Sequence, residues 1–384
     1  MAVRNVAYTT DGAGNYNVRV WNLETGGPLS CYTGGVSQPR TLSFIKGDYI
    51  LSAQKDKTAF SLWSFRQYEQ STRRFAAPDK VRALAVSPSG NHCVAGIGCE
   101  LYLWEVSTGA LIGSIQAHFQ PVTVVKFTDD GTSVISASHD SSVSVWPIDC
   151  FHPDEIPEPD MTFKDHNQAI QDMCVVGSLV TSVSSAGLLT VHSLQTGCLE
   201  YRKFFGKVID SVDMTPSMDA VFVGFKEGTI VRLSLKDESQ LEFVGHNGPV
   251  RCLSVSTHLL LSGSDDATAR IWDAEHGHLL QTLRHDGAVT NVRIASFPSN
   301  ALSKEANKSK ALASVCNFQR AFSKSDVTRQ SHDRLEEEQE NVAIEVKPCE
   351  RAQEELSIPP QTRDMMKKIA IANTDIVNFV VASL

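Results

Sequence analysis

His246 and Asp266 bracket Ser262, and His118 and Asp140 bracket Ser136 in the same way. A histidine beside a carboxylate is the usual outline of a catalytic dyad, a base held in place by an acid. Each set ends at a tryptophan, Trp272 and Trp146. Catalytic sites are normally single, whereas these sets recur. The same residue types also suit a buried hydrogen-bonded chain between strands, where an unpaired polar group costs about 1–3 kcal/mol. Recurrence favours the structural reading, with His118, Ser136, Asp140 and Trp146 as one tetrad and His246, Ser262, Asp266 and Trp272 as another.

The tryptophans set the frame. Trp21, Trp63, Trp104 and Trp146 lie 42, 41 and 42 residues apart, and Trp272 follows after 126, three further intervals. His192 and Arg232 stand at the two intervening positions. A period near 40–45 residues ending in an apolar-Trp-Asp strand is the mark of the WD40 repeat, one propeller blade each. Gly26, Gly109, Gly197 and Gly277 follow their markers by five residues, as hairpins with a positive φ require. A second turn class falls at Ser87–Gly90, Asp129–Gly131 and Thr215–Ser217. Short β-rich runs such as Val122–Phe127 and Val250–Val255 lie between the turns. Other repeats are degenerate: His166 keeps an opening histidine, while Gly98, Ala186 and Lys226 take the place of the turn aspartate. The fold expected is all-β, a seven-bladed propeller over 1–297, then a linker (298–333) and a helical tail (334–384).

The first repeat lacks an opening strand, and residues 285–294 read as an eighth opening strand with no blade of its own. This segment is expected to complete the N-terminal blade and so remove exposed sheet edges. The formal charge of −9 and pI near 5.7 disfavour a broad phosphate-binding surface. Nine scattered cysteines without a Cys-x-x-Cys pair suit a reducing compartment. The N-terminus does not read as a signal peptide, and no run approaches a membrane span. No phosphate loop, zinc spacing or nucleophile elbow stands out, so no cofactor or metal is expected.

Two stretches break the repeat. Residues 147–165, with four prolines among acidic residues, are expected to lengthen the connection between the fourth and fifth blades. This is either a solvated loop or a partner-binding one. After residue 297, Leu312–Phe322 has apolar residues that could dock on the propeller. Farther on, Met365, Ile369, Ala372, Ile376 and Phe379 form one apolar helical stripe, suited to a partner helix, a second copy or the propeller itself.

Several strings resemble one family within the WD40 class: Ile97–Gly109, Gly34–Gly35 with Pro39–Arg40 and 47–54, Leu253–Ser256 with Leu261–Asp266, and Gly287–Asn291. Together they are similar to the WD repeat-containing protein 18 family, the Ipi-type WD40 subunits of the Rix-type ribosome-assembly complex. The Pro-rich insertion and the tail after a linker match that layout. The tail is apolar through 376–381, where the family usually carries a more charged coiled-coil helix. The resemblance implies a non-enzymatic platform in the nucleolus and nucleoplasm, and the reduced thiols suit the cytoplasm as a second location. It implies support for removing the second internal transcribed spacer of pre-rRNA. Its implied partners are an α-solenoid subunit of the Rix or PELP type, a midasin-type AAA ATPase and the pre-60S particle.

Three other classes have their own signatures. A ubiquitin-ligase substrate receptor would carry helix-binding arginines near a marker tryptophan, for which Arg270, two residues before Trp272, is a weak candidate. A propeller enzyme would carry non-repeat polar residues at the central channel, and none is evident. Direct RNA binding would need a basic edge, for which Arg40, Lys46, Lys55, Lys57, Arg66, Arg73 and Arg74 are the candidates.

Overall fold

In the computed structural model, residues 4–13, 17–46, 48–65, 73–152, 157–297, 315, 318 and 319 are described. Among these, seven four-stranded antiparallel sheets form, each a meander in which every strand pairs with the next. The first strands of successive blades adjoin one another around a central channel, and the fourth strands lie at the rim. Short runs of β-branched and aromatic residues between turn signals make this the natural outcome.

The ring closes as the sequence implies. Val289–Phe297 pairs antiparallel with Arg4–Asp11, from Arg4↔Phe297 to Asp11↔Val289, and supplies the first strand of blade 1. Side chains reinforce the seam. Thr10 and Thr290 share a 2.7 Å hydrogen bond, and the Asn291 amide donates to Thr10 Oγ1 at 2.9 Å. Asn291 Oδ1 accepts the Thr41 N–H of blade 2.

Packing between blades is apolar and close. Phe222, Ile230 and Phe243 of blade 6 meet Val250, Leu260 and Trp272 of blade 7 in one buried cluster. At Gly263 on the second strand of blade 7, an added Cβ would stand 2.6 Å from Val289 of blade 1 and 2.7 Å from Cys252. Only glycine lets the blades approach this closely. The hairpin glycines Gly26, Gly109, Gly197 and Gly277 all take φ between 67° and 77°.

Three sequence expectations need correction. The insertion at 147–165 does not join blades 4 and 5. It lies within blade 4, between the third strand Val143–Pro147 and the fourth strand Met161–Phe163, which pair with each other. The marker tryptophan closes a third strand rather than a blade, so the residues after it make the excursion to the fourth. Residues 148–151 of the insertion form a 3₁₀ turn that seats Phe151 in the cluster shared by blades 3 and 4. Residues 153–156 of the insertion lie outside the described residues.

In blade 6 the tryptophan position is Leu233, not Arg232. The Ser234 N–H bonds to Ser239 O, as the Asp273 N–H bonds to His278 O directly after Trp272. Leu233 is fully buried, while Arg232 turns outward and donates to Glu275 O. The same one-residue offset puts Glu227 rather than Lys226 at the turn-aspartate position. Lys226 and Asp265 each donate an N–H to the loop before their own blade, Val208 O and Pro249 O.

The channel is also more polar than expected. Lys126, Asp172, Asp213 and Arg293 lie on first strands of blades 4, 5, 6 and 1 and act on one another electrostatically. Strands surround all four, yet each keeps water-accessible surface along the channel.

Candidate interaction surface

The structure brings both predicted tetrads together. In blade 7 the His246 Nε2 lies 2.8 Å from Ser262 Oγ, and His246 Nδ1 lies 2.9 Å from Asp266 Oδ2. Trp272 Nε1 donates to Ser262 Oγ at 2.9 Å. Blade 4 repeats this with His118, Ser136 and Asp140 at 2.8 and 3.0 Å, and Trp146 donating to Ser136 at 3.0 Å. The order aspartate, histidine, serine imitates a nucleophilic relay. Ser262 and Ser136 are fully buried, however, and each already accepts an indole N–H. These are struts tying the loop before a blade to its second and third strands and the turn between them. Asp266 also receives the N–H groups of Asn247 and Thr268, and so fixes the turns on either side of it.

The degenerate blades show how such a chain decays. In blade 5, His166 Nε2 bonds Ser182 and Thr190, and His192 stacks on Phe163 at 4.2 Å while its Nε2 reaches Asp165 at 2.7 Å. Blade 6 is apolar here, with Phe205 against Phe225. Blade 1 builds its version across the ring seam. Trp21 donates to Thr9 Oγ1 at 2.8 Å and packs edge-on to His285 from the far end of the propeller, and His285 reaches Asp11 at 3.3 Å. His285, Thr9 and Asp11 escape sequence reading because their partners come from opposite ends of the chain. The available signal was the four-residue offset of His285 before its strand, matching His118 and His246.

Channel carboxylates serve as joints. Asp172 Oδ2 of blade 5 accepts the Val212 N–H of blade 6 at 3.0 Å, and Asp213 Oδ2 of blade 6 accepts the Val255 N–H of blade 7 at 2.7 Å. Ser254 Oγ of blade 7 accepts the Ile294 N–H of blade 1 at 3.0 Å. These bonds satisfy inner-edge amides that no neighbouring strand reaches. Arg40 pairs with Asp172, and Arg251 with Asp210 and Asp265.

Burial pushes His118 and His246 below the usual imidazole range and, with His192 nearby, takes His166 to about 4. Burial alone would raise the Asp266 carboxyl, but hydrogen bonds from Thr268, His246 and the Asn247 N–H hold it at about 2. A histidine depressed on folding stabilises the fold above its unfolded value of 6.5, and that contribution is lost as pH falls through the folded value. The Asp266 contribution is present above 3.8 and is lost toward about 2. Asp213 has the opposite sign. Burial raises its carboxyl to about 6, so its contribution is present below 3.8 and is lost as pH rises through about 6. The melting temperature should therefore level off above neutrality and fall between roughly pH 6.5 and 4. Asp213→Asn, which keeps an oxygen for the Val255 N–H, should raise it at pH 7 and steepen the acid fall. A pH series of thermal melts on both chains checks this; a gain no larger at pH 7 than at pH 4 would contradict it.

One face of the ring carries the loops between blades and the turns between second and third strands. Backbone bonds link the two sets, as from His139 to Pro121 and from Ser185 to Ala169. Large apolar side chains stand free here: Phe119 (94 % exposed), Phe204 (67 %) and Val244 (72 %), with Val208. They span blades 4 to 7. Exposed apolar groups of this size on a rigid rim suit a protein partner. The predicted tail residues Met365, Ile369, Ile376 and Phe379 lie outside the described residues.

The family model described as WD domain, G-beta repeat matches residues 109–147 and 237–273, the segments of the two complete tetrads. WD repeat-containing protein 18 of Rattus norvegicus is 32% identical over 322 residues, covering 78% of this chain and 75% of the relative. The protein of the same name from Danio rerio is 32% identical over 318 residues, 77% of this chain and 74% of its own length. Pre-rRNA-processing protein IPI3 of Mycosarcoma maydis is 28% identical over 172 residues, 40% of this chain and 29% of its own.

Proposed function

The chain belongs to the WD repeat-containing protein 18 family, and from that premise we propose that it is a non-catalytic platform in assembly of the large ribosomal subunit. The observation that carries this is the match over most of the chain, together with a more distant relative named for pre-rRNA processing. The architecture supports the reading. A closed ring buries its polar chains as struts and leaves two faces of loops to hold several partners at once. The partners in view are an α-solenoid subunit and a midasin-type ATPase on precursors of the large subunit, in the nucleus. The apolar face over blades 4 to 7 is assigned to a protein partner, and the tail stripe at Met365, Ile369, Ile376 and Phe379 to assembly, either with a partner helix or with a second copy.

Depletion of the protein should cause precursor rRNA that retains the second internal transcribed spacer to accumulate, with rescue by the wild-type chain. Normal spacer removal after complete depletion would overturn the proposal. A chain carrying Phe119→Ala, Phe204→Ala and Val244→Ala should keep its melting temperature, since those side chains bury little, and should rescue poorly. Full rescue would move the contact to another face.

A further inference from the structure

Blade 3 has a tryptophan but no tetrad. Ala77 stands four residues before its first strand, where His118 and His246 stand in their blades, and Ala95 takes the place of Ser136. The Trp104 indole is fully buried, and no side chain of its own blade takes the N–H. The partner comes from beyond the ring: Gln319 O accepts the Trp104 Nε1–H at 2.6 Å. The Gln319 N–H in turn donates to Gly109 O at 2.7 Å, and Gln319 Oε1 accepts the Leu111 N–H at 3.2 Å.

Phe318, 5 % exposed, stacks on Trp104 with centroids 5.3 Å apart and planes at 12°. Its other neighbours are Phe60 and Phe75, each at 5.5 Å. Val315 is buried in the same cluster. The slot between blades 2 and 3 thus takes an apolar residue, then an aromatic ring three positions on, then a glutamine held by both backbone and side chain.

The next slot around the ring is filled by a local plug. Phe151 lies against Leu101, Ile115 and Trp146. Leu101 and Ile115 are cross-strand partners, as Phe60 and Phe75 are in blade 2. That plug follows Trp146 by five residues, whereas Phe318 reaches its slot from a separate segment after the last strand ends at Phe297.

We propose that the slot between blades 2 and 3 is a peptide-docking site, that it recognises a short segment of the form apolar-x-x-Phe-Gln, and that its resident ligand is this chain's own Val315–Gln319, bound in cis. Tethering keeps the ligand at an effective concentration on the order of millimolar, so modest contacts suffice to seat it and the bond stays exchangeable. Such docking is separate from the role in ribosome assembly and does not depend on it.

The test uses the full chain labelled with 5-fluorotryptophan, with the Trp104 resonance assigned through Trp104→Phe. Phe318→Ala should shift that ¹⁹F resonance, leave the other four in place and lower the melting temperature by several degrees. Adding a peptide of residues 311–322 should move the resonance back and raise the melting temperature saturably. The same peptide with Phe318→Ala should do neither. Should the Phe318→Ala chain not fold, Gln319→Ala supports the same comparison with the ring kept in place. An unmoved Trp104 resonance in the variants, or no restoration by the peptide, would overturn the proposal. So would a wild-type dimer in light scattering that Phe318→Ala converts to monomer, since the segment would then be bound in trans.

Discussion

A chain stopped after Arg284 is expected to lose cooperative unfolding altogether and to aggregate. The truncation removes the strand Val289–Phe297, and with it the pairing from Arg4↔Phe297 to Asp11↔Val289. Blade 1 then has three strands, and the inner edge of Arg4–Asp11 faces the channel unpaired. The neighbouring blade suffers as well: Ser254 loses the Ile294 N–H, and Val289 and Val292 leave the cluster that buries Leu261 and Ile271. An open ring presents two sheet edges and two apolar blade faces, each a template for association. The control is a chain ending at residue 324, which keeps the seam and the docked Val315–Gln319. A single sigmoidal melt for the control and none for the shorter chain is the expected pair of results. A truncated chain melting within a few degrees of the control would show that the seam contributes little.

Trp272→Ala should cost about 3–5 kcal/mol of unfolding free energy, the range for removing a large buried aromatic side chain. Trp272 is 2 % exposed and joins two systems. Its ring meets Phe243 of blade 6 edge-on at 5.8 Å, and its N–H holds Ser262, which holds His246. The substitution opens a cavity between blades and leaves the Ser262 hydroxyl without its indole donor, so the two losses act together. Trp272→Phe restores much of the volume but not the donor, and should cost roughly 1–3 kcal/mol. Denaturant titrations of the three chains separate packing from the hydrogen bond. Equal losses for alanine and phenylalanine would assign the effect to the hydrogen bond alone.

Legible and hidden features of this chain differ in their physics. Blade number and ring closure rest on apolar periodicity and glycine turns, which local chain geometry enforces, so tryptophan spacing and the 285–294 segment can be read directly. Register within a degenerate blade is set by the hairpin after its third strand. Counting from Trp146 to Trp272 therefore puts Arg232 where the Ser234–Ser239 turn places Leu233. The 147–165 insertion is misplaced for a related reason: tryptophan ends a third strand, and a Pro-rich excursion hides the three-residue fourth strand Met161–Phe163. Lys126, Asp172, Asp213 and Arg293 are not marked by any repeat motif, because they differ in type and charge and share their strands with other polar residues such as Thr123, Gln171, Asp210 and Asn291. They become a cluster only when the ring brings the first strands together. Val315–Gln319 has no repeat at all. Its apolar content marks it as able to dock, but its place is set by an absence, the tetrad that blade 3 lacks around Trp104.

We propose that this propeller is an assembly platform on precursors of the large ribosomal subunit. Affinity purification of the tagged full-length chain from nuclear extract, with mass spectrometry of the proteins that accompany it, tests that claim most directly. The expected result is recovery of an α-solenoid subunit, a midasin-type ATPase and large-subunit assembly factors, with loss of these when residues 334–384 are deleted or the Phe119, Phe204 and Val244 face is changed. Recovery of ubiquitin-ligase components or another assembly, free of pre-ribosomal proteins, would contradict it and leave only the seven-bladed scaffold.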